Sequence, residues 1–437
     1  MSRFLPYRPD QAFLLPPSVR DVLPGSHLCF FIQQIVARLD LREFEAEYSE
    51  EGGTLYAPAL MLSVWLYAYA TGLTSARELE RRIREDLPLR YLAGGAQPDH
   101  WALSAFRRRH GRAINDAFTQ VLEFLRQQGL GKLGVVAIDS TRIKASNAKS
   151  RVDTARQLRQ QRAKLRRQVR HWQRQCEQED NAIASPYATA QMERLERELA
   201  TLPCRLESLK KSGQERLPRS DPEARVLRKR GQSVVGYTAD VAVSEDQFIL
   251  AQRVTQAATD NDSLVPMVEE VKQQCGQAPE KVVADSGLYS NANAARMEAE
   301  SIDAYVPDSN MAAALNKGGR VKGRARAAEM KRMRAKFRTI GGRVLYAKRK
   351  GMVEGVFGTI KTGRHLDQFR LRGLAKVGIE FTLAAMAYNL GRWRAEQDQD
   401  SPLWQRRRRR MQAGRGRPYS GNRSETATRD SKSTYQT

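Results

Sequence analysis

Three carboxylates lie within apolar stretches of the sequence, where a charged group needs a partner. Asp139 lies in GVVAIDSTRIK, Asp285 in KVVADSG and Glu354 in GMVEGVFGTIK. The first two stretches are typical of buried strands and the third of a helix. A carboxylate in such surroundings is costly unless a cation or hydrogen bonds compensate its charge. We therefore predict one shared cation site, and because no His or Cys cluster is near, its oxygen ligands favour Mg²⁺ or Mn²⁺ over zinc.

The chemistry that such a site can perform is the breakage and joining of phosphodiester bonds. Two Mg²⁺ ions about 3.5–4 Å apart activate the attacking oxygen and stabilise the departing 3′-oxygen. Holding two ions takes one carboxylate that bridges them and one flanking carboxylate for each, so Asp139, Asp285 and Glu354 are the minimum set. Asp240, which also falls on a predicted strand, is the strongest competitor for the second position.

The charge balance indicates a polyanionic partner. The 437 residues include 74 Lys and Arg against 49 Asp and Glu, a formal net charge of +25, and such an excess most often accompanies nucleic-acid binding; a merely basic surface is the alternative. The four cysteines are isolated, which fits a reducing compartment. The longest apolar run, Tyr56–Ala70, is shorter than the roughly 20 residues of a membrane helix, and the N-terminus shows no signal pattern. We therefore expect a cytoplasmic, nucleoid-associated protein without membrane segments.

Residues 1–130 are predicted to form a helical, DNA-binding domain. Ala59–Tyr69 is apolar throughout, as in a buried helix, and Ser75 with a Glu three residues later matches a capping box for the next helix. Leu87–Gln97 is predicted as a loop and Asp99–His110 as a short basic helix. Two short helices across a glycine turn suggest a helix-turn-helix reader, with a helical bundle bearing a solvated basic face as the alternative. The side chains predicted to contact DNA here are Arg107, Arg108 and Arg109.

Residues 150–220 are predicted as a helical insertion. Apolar residues recur there at three- and four-residue spacing in two runs, separated by Ser185-Pro186. This pattern predicts two antiparallel helices in a coiled-coil-like hairpin, whose first arm is strongly basic. The hairpin can dimerise, grip DNA or only pack on itself, and the sequence leaves these three roles open.

The segments on either side of the insertion, 131–149 and 221–395, are predicted to form one mixed α/β sheet with flanking helices, because strands and helices alternate with one hairpin among them. The predicted elements after the insertion are a hairpin of Val234–Val243 and Phe248–Val254, a helix at Asp262–Cys275 capped by Asp262 or Asn261, strands at Lys281–Asp285 and Asp303–Pro307, and an outer helix at Leu374–Trp393.

Two further segments are strongly basic. Residues 317–338 carry ten Lys and Arg against one Glu, too much charge for a core, and are predicted as a solvated loop or a phosphate-binding arm. Its predicted DNA contacts are Lys331, Arg332 and Arg334. Residues 396–437, with five consecutive arginines at Arg406–Arg410, are predicted as a disordered basic tail that adds non-specific affinity.

Short sequence words in these segments resemble bacterial insertion-sequence transposases of the DDE class. VVAIDSTRIKA and VVADSGLYS resemble the strands that carry the first and second aspartates of these enzymes. The signature of one branch, Tyr-Arg-Glu-Lys, is matched by Tyr346, Arg349, Glu354 and Lys361. The signature has its Arg four residues before the Glu, where this chain has Lys350, so either Arg349 or Lys350 is the candidate. Tyr56–His110 resembles the helical N-terminal domain of the branch.

The resemblance implies an RNase H-like catalytic core in which Asp139, Asp285 and Glu354 bind two Mg²⁺ or Mn²⁺ ions. The residues implied to contact DNA near the cleaved bond are Tyr346, Arg349, Lys350 and Lys361. The implied reaction is cleavage of double-stranded DNA at the element ends, followed by joining of the freed 3′-hydroxyl to target DNA. Because two ends must be held together, we expect a homodimer on DNA. The alternatives are a related nuclease that does not join strands, and a decayed transposase that only binds DNA.

Overall fold

The computed structural model describes residues 18–48, 56–148, 151–178, 186–229, 232–259 and 261–399. The predictions made for the N-terminus before residue 18 and for the basic tail beyond residue 399 lie outside the described residues. Contacts group the chain into one unit that ends at Arg392 and a second that begins at Trp393. The predicted domain boundaries within the first unit stay predictions.

In the described part of the chain, eight helices precede the first strand: α1 (Val19–Val22), α2 (Leu28–Val36), α3 (Arg42–Glu45), α4 (Pro58–Ala70), α5 (Ala76–Glu85), α6 (Leu87–Leu92), α7 (His100–Arg109) and α8 (Gly111–Gln127). Helix α4 is buried from Met61 to Tyr69, as its uniformly apolar sequence predicts. Ser75 caps α5, its Oγ accepting a hydrogen bond from the Glu78 amide. The loop predicted at Leu87–Gln97 is wrong in its first half, because α6 forms there and buries Leu89 and Leu92.

The central strand of the main sheet is β1 (Val135–Lys144). Its first four residues are buried and the next four, starting at Asp139, are half-buried. The change of burial follows the sequence, because the β-branched run gives way to polar residues at that aspartate. The prediction of a central strand with a charge at its midpoint is confirmed.

The predicted insertion follows β1 and is a helical hairpin, as expected. A small sheet of β2 (Val152–Thr154) and β3 (Arg216–Pro218) closes its base, which the sequence pattern did not indicate. Its two arms are α9 (Ala155–Gln178) and α10 (Pro186–Lys211). Leu158 and Leu165 of the first arm pack with Leu202 and Leu209 of the second, so the apolar spacing predicts the contact between the arms correctly.

The remaining strands are β4 (Arg225–Lys229), β5 (Gln232–Ser244), β6 (Ile249–Thr255), β7 (Lys281–Ala284) and β8 (Asp303–Tyr305). The strand order is β4-β5-β1-β7-β8, with β6 also paired to β5. Strand β5 is antiparallel to β1, whereas β7 is parallel to β1 and to β8. The result is a mixed sheet with β1 between an antiparallel half and a parallel half, as predicted, except that β4 was missed.

The helices that follow the insertion in the described part of the chain are α11 (Leu264–Cys275), α12 (Asn291–Ala299), α13 (Ser309–Lys317), α14 (Ala328–Lys336), α15 (Ile340–Gly358) and α16 (Leu374–Gln399). Helix α12 was not predicted; it crosses between β7 and β8 and allows those strands to run parallel. The predicted caps of α11 are wrong, because Ser263 is the N-cap residue. None of the described helices is both long and apolar enough to cross a bilayer.

Candidate active site

Asp139 and Asp285 are brought side by side by two neighbouring parallel strands. The register of β1 and β7 pairs Ile138 with Ala284, and the next residue of each chain segment is the aspartate. The Asp139 side chain is 26% exposed and that of Asp285 is 52% exposed. Both carboxylates therefore stand at the edge of the core, within reach of solvent and of a ligand.

A single guanidinium bridges the two carboxylates. Arg349 Nη1 lies 3.2 Å from Asp139 Oδ2, and Arg349 Nη2 lies 3.6 Å from Asp285 Oδ1. The Arg349 side chain is only 15% exposed, and its Nε is buried without a hydrogen-bond partner in the described structure. Two carboxylates repel each other at short range, and in the described structure the Arg349 guanidinium supplies the positive charge that compensates them.

Helix α15 aims Arg349 at the strands because one of its faces packs on the sheet. Tyr346, Arg349, Val353 and Val356 follow one another at spacings of three, four and three residues, which places them on one side of a helix. The Tyr346 hydroxyl donates a hydrogen bond of 3.4 Å to Asp285 Oδ1. Burial raises the pKa of Tyr346, which keeps its phenol protonated and able to donate.

Arg349 and Lys350 differ in their contacts. Lys350 lies one residue further around α15, and its side chain is 72% exposed. Its described ion pair is with Glu354, at 3.8 Å, and not with either aspartate. Arg349 is therefore the one of the two that lies beside the carboxylates in the described structure, and its role as the signature arginine stays a prediction.

Glu354 does not join the two aspartates. It lies five residues after Arg349, about 140° around a helix of 3.6 residues per turn, and its side chain is 64% exposed. Among the described residues, no three His, Cys, Asp or Glu side chains form a group that can hold a metal ion. That Glu354 completes a site of three carboxylates stays a prediction.

Lys361 contacts the polar half of β1. The residues Thr359–Gly363 form a π-helical turn at the end of α15. From this turn, Lys361 Nζ donates hydrogen bonds of 3.1 Å to Thr141 Oγ1 and 3.0 Å to the Arg142 carbonyl oxygen. The ammonium is thus fixed two to three residues beyond Asp139 on the same strand, and Thr141 is a neighbour that the sequence did not single out.

Asp240 is excluded as a partner of Asp139. It lies opposite Ser140 in the register of β1 and β5, and Ser140 Oγ donates a 2.6 Å hydrogen bond to Asp240 Oδ1. Because successive strand residues point to opposite faces, Asp240 and Asp139 lie on different sides of the sheet. Asp240 is also fully buried, away from any DNA.

The paired aspartates fit a divalent cation by the chemistry of their donors. Both supply hard carboxylate oxygens, which Mg²⁺ and Mn²⁺ prefer. In the described structure both carboxylates already lie beside one cation, the Arg349 guanidinium. Asp139 and Asp285 are therefore the described residues that would hold a metal ion.

Arg107 must be withdrawn from the predicted DNA contacts. It is 2% exposed, its guanidinium carbon lies 3.7 Å from the centroid of the Trp65 ring, and its Nη1 donates a 2.6 Å hydrogen bond to the Tyr69 hydroxyl. The sequence pattern does not distinguish Arg107 from the next two residues of the basic run in α7, Arg108 and Arg109, which are exposed. Those two stay predicted DNA contacts.

The basic segment 317–338 is likewise only partly solvated. Arg334 is buried and bonded to both carboxylate oxygens of Asp308, so it is a structural residue and the prediction that it contacts DNA is wrong. Arg332 is exposed but bonded to Glu298, whereas Lys331 is exposed at the mouth of a cavity of about 720 Å³. The other cations lining that cavity are Arg324, Arg334, Arg338 and Arg343.

This cavity is linked to the candidate site by one packing contact. Phe337 lines it and packs edge-to-face on Tyr346, with ring centroids 5.5 Å apart. Arg343 lies outside the predicted basic segment, and no pattern in the sequence singles it out. Only the fold shows that Arg343, on α15, lines the same cavity as the cations of the basic segment.

Two family models match the chain. One, described as Transposase domain (DUF772), matches residues 17–109, and the other, described as Transposase DDE domain, matches residues 130–390. The second match covers more than half of the chain. No curated protein and no solved structure matches the chain significantly.

Proposed function

The chain belongs to the insertion-sequence DDE transposases, and from that premise we propose that it cuts and joins DNA at a divalent-metal site on Asp139 and Asp285. The observation that carries the proposal is the convergence of these two carboxylates, from adjacent parallel strands, on the guanidinium of Arg349. We assign Glu354, an exposed residue of α15, as the third ligand.

The catalytic core is RNase H-like in this proposal. Support comes from the strand order, with β1 central, β5 and β6 antiparallel on one side, and β7 and β8 parallel on the other. The carboxylates stand where the central strand and its parallel neighbour meet, and ligand sites in open α/β sheets commonly lie at such changes of strand order. The long helix α15 carries the other residues assigned to the site, Tyr346, Arg349 and Glu354.

The protein residues have distinct tasks at this site. Bound metal ions would lower the pKa of the attacking water or 3′-hydroxyl and would stabilise the negative charge on the leaving oxygen. Tyr346 orients Asp285 through its hydroxyl. Arg349 neutralises the carboxylates in the free protein and, beside a bound DNA end, is positioned to pair with a phosphate. Lys361 fixes the polar half of β1 against α15.

The proposed DNA contacts are made by exposed cations. The exposed residues Lys350, Lys331, Arg332, Arg108 and Arg109 are assigned to phosphate contacts, with Arg332 exchanging its Glu298 partner for a phosphate. Joining requires two element ends to be held together, so we assign the DNA-bound form as a homodimer. Measuring the mass of the protein–DNA complex by light scattering tests this assignment: a single protein chain on two ends would contradict it.

A strand-joining assay separates this function from its alternatives. The substrate is a duplex of the element end, already cut to leave a free 3′-hydroxyl, mixed with a labelled plasmid, Mg²⁺ and the wild-type protein. A transposase joins the end to the plasmid, whereas a nuclease gives no joined product but still cuts an intact duplex of the element end that is assayed in parallel. Binding of the duplex without either product would indicate a decayed, non-catalytic protein and overturn the proposal.

A further inference from the structure

The first arm of the helical hairpin carries a one-sided charge. Residues 155–176 contain eight Lys and Arg and no Asp or Glu. Seven of these cations are exposed and Arg162 is half-buried. The ion pairs of the described hairpin belong to α10 or to the hairpin base: Arg197–Glu193, Lys211–Glu207, Arg205–Asp153 and Arg219–Asp153.

The cations of α9 lie on the side that faces away from α10. Leu158 and Leu165 are buried against the second arm. Arg156, Arg167 and Arg174 lie about half a turn from these leucines, at 3.6 residues per turn, and all three are exposed. At a rise of 1.5 Å per residue, Arg156 and Arg174 are about 27 Å apart. This length matches roughly eight base pairs of duplex DNA at 3.4 Å per phosphate along a strand.

The base of the hairpin is held firmly. Asp153 is 1% exposed, and its carboxylate accepts hydrogen bonds from Arg205 and Arg219. Asn147, just before the hairpin, accepts a 2.9 Å hydrogen bond from the Ser220 amide, just after it. The hairpin thus leaves the core from the end of β1, the strand that carries the first aspartate, in a fixed direction.

The charge pattern selects one of the three roles that the sequence left open. Like charges three or four residues apart destabilise a helix, and α9 repeats this spacing along its length. The basic face of α9 would repel the same face of a second copy of the chain. The charges of α10 are mixed, so packing on α10 does not reduce the repulsion among the α9 cations. A polyanion would reduce that repulsion.

We propose that the exposed face of α9 is a DNA-binding surface that follows the phosphate backbone of the duplex beyond the active site. This inference rests on the proposed function, because it takes DNA as the substrate. Contacts of this kind carry no sequence information; they add affinity, strong salt dependence and orientation of the duplex.

The test is a salt titration of duplex binding by the full-length protein in EDTA, read by fluorescence anisotropy. The variant Arg156→Gln/Arg167→Gln/Arg174→Gln removes three charges from α9. Each lost phosphate contact lowers the slope of log K against log[salt] by about 0.9, so we expect a fall of about two to three and at least a tenfold weaker complex. The control Arg194→Gln/Arg197→Gln/Lys210→Gln removes three charges from α10 and is expected to change the slope by less than about 1.

A third variant keeps the charge. Replacing the same three α9 arginines by lysine is expected to retain the wild-type slope, which separates loss of charge from loss of folding. Equal slopes for wild type and the α9 glutamine variant would overturn the proposal, as would an equal loss in the α10 control or in the lysine variant. Since EDTA prevents cleavage, this result is independent of the strand-joining assay, and either proposal can fail alone.

Discussion

Replacing Arg107 is expected to destabilise the fold without removing a DNA contact. Its guanidinium stacks on Trp65 and bonds to the Tyr69 hydroxyl. Glu380 is fully buried and accepts hydrogen bonds from the Arg370 and Leu371 amides. Burial raises the pKa of Glu380, and the positive charges of Arg107 and Arg370 oppose that rise, so Arg107 is one of two charges that compensate this buried carboxylate.

The size of the effect follows from what remains after the substitution. Arg107→Met keeps most of the volume but removes the hydrogen bond to Tyr69 and one of the two charges that compensate Glu380, and removing such a charge costs up to about 3–5 kcal/mol. Glu380→Gln in the same chain removes the stranded charge and keeps an oxygen that accepts the two amides. The double variant is therefore expected to recover about 1–2 kcal/mol of that loss.

The stability loss caused by Arg107→Met is expected to depend on pH. Burial raises the pKa of Glu380, and the charge of Arg107 opposes that rise. A raised carboxyl pKa means that protonation favours the folded state, so stability is lost as the pH rises through the folded pKa. Without Arg107 this pKa rises further, and Arg107→Met is expected to cost more at pH 8 than at pH 5.

The assay is urea unfolding at both pH values, with duplex binding measured alongside. Arg108→Met, one residue away and exposed, is the control and is expected to change the free energy of unfolding by less than about 0.5 kcal/mol. If Arg107→Met unfolds within about 1 kcal/mol of wild type yet binds DNA much more weakly, the assignment of Arg107 to the core is refuted.

Three further predictions concern single side chains. Arg349→Gln is expected to lower end cleavage by at least about 10²-fold and Lys350→Gln by less than about threefold, because only Arg349 reaches the aspartates; equal losses in a cleavage assay would contradict this. Burial lowers the pKa of His110 to about 4, so protonation favours the unfolded chain and stability falls as the pH drops from about 6.5. In pH-dependent unfolding, His110→Gln is expected to remove about 1–3 kcal/mol of that fall, and an unchanged slope would contradict the burial argument. Asp153→Ala is expected to free α9 for faster amide hydrogen exchange, since it leaves two arginines at the hairpin base uncompensated; unchanged exchange would show that the base is held by other contacts.

Much of the fold was predictable from local pattern. The β-branched run before Asp139 predicts the central strand, and the three- and four-residue spacing of apolar residues predicts the hairpin, because these elements bury one continuous apolar surface. The missed elements lack such a signal. Strand β4, reading RVLRK, is charged, and α12, reading NANAARMEA, has few large apolar side chains.

The site was predictable only in part. Asp139 and Asp285 are found from their apolar surroundings, and the parallel pairing of β1 and β7 brings them together. Arg107 and Arg334 were misassigned because a basic run in a sequence favours a solvated face, while their buried partners Trp65 and Asp308 are distant in the chain. Only tertiary contacts separate such residues from their exposed neighbours.

Asp139, Asp285 and Glu354 are proposed to form a metal-dependent site for cutting DNA. The most direct measurement is cleavage of a labelled element-end duplex in Mg²⁺, with Ca²⁺ as the metal control, by wild type and by Asp139→Asn, Asp285→Asn and Glu354→Gln. Each variant is expected to lose at least about 10³-fold in rate, equivalent to about 4 kcal/mol of transition-state stabilisation. Asp367→Asn, which alters an exposed carboxylate paired with Lys144, is expected to cut at nearly the wild-type rate. Full activity in either aspartate variant would contradict the account, and full activity in Glu354→Gln would remove that residue from the site.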